Sequence, residues 1–138
     1  MSELRPMFIE ALTSESAIQS TIYMWTDMLR DLGENPDARE RCVYKWHWLI
    51  DHGYSMTGPF RMPENECFLC ERARIVWLDV FGLTSKCSCC PIDWPEKEVA
   101  SLREPRCVGH KVDYLKAPLS DILNYLKDEK DHTRWRII

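Results

Sequence analysis

Cys67-Phe68-Leu69-Cys70, sixteen further residues, then Cys87-Ser88-Cys89-Cys90-Pro91: the reading of the chain turns on this stretch. Cys67 and Cys70 form one C-x2-C pair. Cys87 and Cys90 form a second, with Cys89 inside it. Two such pairs about 15–20 residues apart have the spacing of a structural zinc site. Each pair brings two thiolates to one tetrahedral ion, and the intervening chain is long enough to close the loop. Cys67, Cys70, Cys87 and Cys90 fit the spacing best. Cys107 is the main rival, Cys89 is an alternate to Cys87, and His110 forms a C-x2-H with Cys107. The competing reading, small buried thiols without metal, needs both pairs to arise by chance. Zinc is favoured over an iron–sulfur cluster, because nothing else in the chain points to redox work.

Composition sets the frame around this stretch. A chain of 138 residues, 45% hydrophobic and 29% charged, is expected to form a single domain, 1–138, with a modest core. Six tryptophans must be buried or face a partner. The N-terminus has no apolar run behind basic residues, and no stretch is long and apolar enough to span a membrane. The expected location is therefore the cytoplasm, where seven cysteines point to metal and not to disulfides. Residues 1–66 carry six Lys/Arg and eleven Asp/Glu, net −5; residues 67–138 carry twelve and eleven, net +1. That balance offers no field to hold polyphosphate and argues against non-specific nucleic-acid binding. Arg103, Arg106, Lys111 and Lys116 cluster near Cys107, but Glu104 and Asp113 dilute them.

Local signals predict a mainly α fold: an N-terminal helical hairpin (1–53) packed on a zinc-stapled region with irregular loops (54–116), then a closing helix and tail (117–138). Met7, Phe8 and Ile9 should dock the leader. A first helix should start at Thr13 or Ser14 and stop at Gly33, with Ile18, Ile22, Trp25, Leu29 and Leu32 on its inner face. A second should start at Asn35-Pro36 and stop at Gly53. Its main apolar stripe is Cys42, Val43, Trp46, Leu49 and Ile50. Tyr44 and Trp48, beside Arg41, lie across the helix and form a candidate partner-binding face. The leader, the 53–66 loop or the segment around Trp135 are alternative covers for that side. A helix from Phe68 towards Leu83 carries the first Cys pair at its N-terminus, where the dipole stabilises thiolate. Pro95 is placed to open a short helix through Leu102. Leu119, Ile122, Leu123 and Leu126 should face inward from a helix over 118–131.

The catalytic alternatives fail on pattern. A zinc deaminase needs H-x-E before P-C-x-x-C, and no H-x-E is present. A thioredoxin-like reading of C-F-L-C lacks the βαβ surroundings. An HNH-type nuclease would need an Asp-His pair between the Cys pairs, whereas Asp51-His52 precedes both. Four thiolates would also fill the sphere and leave no open position.

Together these pieces resemble small cysteine-rich proteins encoded by bacteriophages. The matching parts are Lys45-Trp46-His47-Trp48, Cys67-Phe68-Leu69-Cys70-Glu71, Cys87-Ser88-Cys89-Cys90-Pro91-Ile92 and Cys107, over roughly residues 38–130. Cys89 and the C-x2-H ending depart from the pattern. The resemblance implies a phage accessory protein in a bacterial cytoplasm, without enzymatic activity. The expected function is then a non-enzymatic zinc protein that binds and modulates a host or phage protein. The alternatives are a zinc-bearing nucleic-acid-binding module and, behind it, a metal-dependent nuclease. Self-association is a further form of partner.

Overall fold

The computed structural model describes residues 6–63, 66–79, 96–99, 102–105 and 114–128. Among these the chain is mainly helical: α1 (Ser14–Leu32), α2 (Ala38–Asp51), α3 (Phe68–Asp79) and α4 (Leu119–Asp128), with one short hairpin of β1 (Glu96–Val99) and β2 (Leu102–Pro105). α1 is the central element. It packs chiefly against α3 and α4, and more lightly against α2.

α1 starts where its cap predicts. Thr13 Oγ1 accepts from the Ser16 N–H at 3.1 Å, and Ser16 Oγ accepts from the Thr13 N–H at 2.9 Å. This reciprocal box satisfies two donors that the first turn would otherwise orphan. Gly33 ends the helix at φ +81°, its N–H donating to Leu29. The buried stripe, however, is rotated from the expected one. Ala17, Ile18, Ser20, Thr21, Met24, Trp25 and Met28 are buried, Ile22 and Leu29 only partly, and Leu32 is exposed. Small side chains at 17, 20 and 21 permit close helix approach, which outweighs the larger Ile22 and Leu29. Thr21 hides its hydroxyl by donating to the Ala17 carbonyl at 2.8 Å.

α2 starts two residues later than Asn35-Pro36 predicts. Asp37 is the N-cap: its carboxylate accepts from the Glu40 N–H at 2.8 Å, while the Glu40 carboxylate accepts from the Asp37 N–H at 2.9 Å. Asn35 has Ala38 three residues on and cannot form such a box. At the other end the Gly53 N–H donates to Ile50 and the Tyr54 N–H to Leu49, closing the helix in a Schellman motif. Gly53 sits at φ +98°, and a Cβ there would meet Pro6 Cγ at 2.8 Å. Tyr54 then takes the leader: its hydroxyl accepts from the Met7 N–H at 3.2 Å. Ile9 and Leu12 are buried, and Phe8 stacks on Phe60 of the following loop at 4.8 Å, so the leader docks as expected.

The inner face of α2 is not its apolar stripe. Arg41, Lys45, Trp48 and Leu49 are buried, while Cys42, Val43 and Ile50 are exposed and Trp46 is half-buried. The core-facing expectation therefore holds for Leu49 and fails for Cys42, Val43 and Ile50. The cause is polar satisfaction. Arg41 donates to the carbonyls of Pro36, Tyr114 and Ala117 at 2.9, 3.3 and 2.7 Å and lies 5.9 Å from the Trp25 ring. Trp48 Nε1 donates to Asp27 on α1 at 2.8 Å. Buried donors are acceptable once they find such acceptors, and long stems bury apolar area as well.

The segment after Pro95 is the second correction. Where a short helix to Leu102 was predicted, β1 and β2 pair antiparallel. The register sets Lys97 opposite Glu104, Glu98 opposite Arg103 and Val99 opposite Leu102. α4 agrees with its pattern: Leu119, Ile122, Leu123 and Leu126 are all buried. Its start is capped from far away, with Glu34 accepting from the Leu119 N–H through its carbonyl at 2.9 Å and from the Ser120 N–H through its carboxylate at 3.0 Å.

Candidate metal centre

The turn of chain that delivers Cys67 to α3 is held in an uncommon shape. Glu66 has φ +51°, a left-handed conformation that costs a non-glycine residue about 1 kcal/mol or more. Cys67 follows at the helix start, its carbonyl accepting from the Glu71 N–H at 3.1 Å. Its side chain is buried, walled by Phe68 and Leu69, which are buried too. Phe68 meets Trp48 edge-on at 6.3 Å and Tyr54 at 5.6 Å, which ties this turn to α2 and its exit. Cys70, one turn on, is half-buried.

The two sulfurs interact. The Cys70 side chain, hydrogen-bonded to Cys67, is the main force lowering the Cys67 thiol. Burial opposes it. The charge of Lys45 and the backbone N–H groups of Cys70 and Leu69 add to the lowering, and the balance holds the Cys67 thiol below its ordinary range. A lowered thiol favours the thiolate, the form of cysteine that metal ions bind. Glu71 beside it is also buried, its carboxylate ion-paired with Arg74 one turn on.

This is the described half of the predicted centre. Cys87, Cys89, Cys90, Cys107 and His110 lie outside the described residues, as do Val80, the tail around Trp135 and His132. Among the described residues no group of three or more His, Cys, Asp or Glu is placed to hold a metal. Of the predicted ligands, Cys67 and Cys70 are among the described residues, at the N-terminal end of α3.

The expected partner face fares differently. Trp48 and Arg41 are buried, and only Tyr44 stays near the surface. Its hydroxyl donates to Asp31 Oδ2 at 2.6 Å, and burial, helped by Asp31, holds the phenol well above its usual range. The cover over Trp48 comes from Phe68, His52 and Asp27, none of which was among the expected covers. His52 stacks on the indole at 3.8 Å, a structural place for a histidine read as the polar end of a helix. Sequence reasoning missed the opposite side: Val43 and Ile50 are each nearly half exposed, at 48% and 46%. Val43 lines a groove of about 330 Å³ with Leu32, Arg39, Glu40, Tyr44 and His47. No local signal marks this reversal, because the acceptors that let Arg41 turn inward include the distant carbonyls of Tyr114 and Ala117.

Among the described residues no helix is long and apolar enough to cross a membrane. Comparison with protein-family models, with curated proteins and with solved structures finds no match to this chain.

Proposed function

We propose that this chain is a non-enzymatic, zinc-stapled helical module whose task is to bind another protein. Cys67, Cys70, Cys87 and Cys90 are the ligands, with Cys107, Cys89 and His110 as alternates. The observation that carries the reading is the buried Cys67 sulfur at the start of α3, hydrogen-bonded by Cys70 and disposed to ionise. When bound, zinc would supply cross-linking and no chemistry, because four thiolates saturate a tetrahedral ion. The resemblance to phage-encoded cysteine-rich proteins makes the partner a host or phage protein in a bacterial cytoplasm. The outward side of α2 is the surface that favours a partner, since it keeps Val43 and Ile50 in water.

Elemental analysis of protein purified without chelator should find one zinc per chain. Cys67→Ser should lose the metal and, because metal binding is folding free energy of about 10 kcal/mol or more, the compact fold with it. Val43→Ser with Ile50→Ser should keep zinc and melting temperature while abolishing co-purification of the partner. Protein that is folded and metal-free would end the zinc reading; a double variant that still captures its partner would end the assignment of the surface.

A further inference from the structure

Along the outward side of α2, Arg39, Val43, Trp46 and Ile50 follow one another at steps of four, three and four, the spacing of a seam between two helices. Arg39, Val43 and Ile50 are exposed, and Trp46 is half-buried. Among the described residues five large apolar side chains stay exposed, and Val43 and Ile50 are the two that share a helix. The ends of the stripe carry opposite charges. Arg39 stands in the first turn of α2 and Asp51 is its last residue. Both are exposed, and among the described residues neither takes part in an ion pair. Each also sits at the end of the helix whose dipole disfavours it, a cation at the positive end and an anion at the negative. Nothing local to α2 answers either charge.

A second copy of the same helix, laid antiparallel, answers both. Around a two-fold axis every contact from one residue to another is repeated in reverse. Setting Val43 against Trp46 of the second copy brings Arg39 level with Ile50 of the second copy. Asp51 of the second copy is then one residue further, about 1.5 Å along the axis. Arg39 and Val43 also line the groove of about 330 Å³, which gives the incoming isoleucine space to seat. A parallel pair would oppose Arg39 with Arg39 and Asp51 with Asp51. We propose that α2 is a self-association helix: its outward stripe docks antiparallel on the same stripe of a second copy of this chain. Val43, Trp46 and Ile50 form the centre, and Arg39 pairs with Asp51 across the axis at both ends. This names the occupant of the surface assigned above and rests on that assignment, but not on the metal. A contact confined to one 14-residue helix is small, so the dimer is weak and concentration-dependent.

The test is sedimentation velocity of the full chain over a wide range of concentration, with circular dichroism to confirm folding. Val43→Ser with Ile50→Ser should leave a folded monomer. Arg39→Asp and Asp51→Arg each place a charge that the helix dipole favours, so both variants should stay folded. Either alone sets like charges against each other at both ends and should weaken the dimer by about tenfold or more. Both together restore the opposite pairing and should return the dissociation constant to within about threefold of wild type. Salt should weaken the wild-type dimer and strengthen each single variant. A chain that stays monomeric at every concentration overturns self-association; if the serine pair still abolishes capture of a different protein, the surface assignment survives. A dimer untouched by the serine pair lies on another face and overturns the inference, and so does a double charge variant that dimerises no better than the single ones.

Discussion

Arg41→Met tests whether the inner face of α2 is read correctly. The guanidinium joins α2 to the 114–117 turn and to the Pro36 carbonyl through three hydrogen bonds of 2.7 to 3.3 Å. Hydrogen bonds from a charged donor contribute about 1.5–3 kcal/mol each, so the lower end gives about 4.5 kcal/mol. The contact with the Trp25 ring adds about 1 kcal/mol. Against this, methionine removes the cost of keeping a cation out of water, which offsets about 2 kcal/mol or more. The expected net loss is about 3 kcal/mol. Each kcal/mol moves the midpoint of a domain this size by about 4 °C, so the melting temperature should fall by about 12 °C. Circular dichroism at 222 nm measures it, with Arg39→Met on the exposed side as a control that should move by less than about 2 °C. If Arg41→Met melts with the control while partner binding is lost, Arg41 is an interface residue after all, and the buried clamp described here is wrong.

Two further substitutions test the chain's turns. Gly53→Ala combines a positive φ with a Cβ placed 2.8 Å from Pro6 Cγ, and should cost about 2 kcal/mol in a urea titration; a loss below about 0.5 kcal/mol would refute the close approach of the leader. Glu34→Ala removes the carboxylate that caps α4 through the Ser120 N–H, and should cost about 1 kcal/mol, with amide exchange in residues 119–122 accelerated before the rest of the helix.

The legible parts of this protein are those governed by neighbours in sequence. The start of α1 at Thr13, its stop at Gly33 and the four inward residues of α4 follow from local capping and from a 3.6-residue period. So does the Cys67–Cys70 pair at the start of α3, since spacing alone puts the two thiols one turn apart. The reading failed where a distant group supplied the missing partner. No stretch near α2 reveals that carbonyls of Tyr114 and Ala117 would receive Arg41, or that Asp27 would receive Trp48. Hydrophobicity alone then ranks Val43 and Ile50 above Arg41 for burial, and the ranking is reversed. The hairpin at 96–105 fails for the same reason, because a strand's hydrogen bonds belong to its partner and only pairing shows Lys97 opposite Glu104.

Sequence by itself therefore determined the start and stop of α1, the inner face of α4 and the place of one cysteine pair at the head of α3. Tertiary structure alone decided which side of α2 is inside. Helical hydrogen bonds close within four residues and can be read locally. A buried charge is stable only beside acceptors, and here those acceptors arrive from more than seventy residues away.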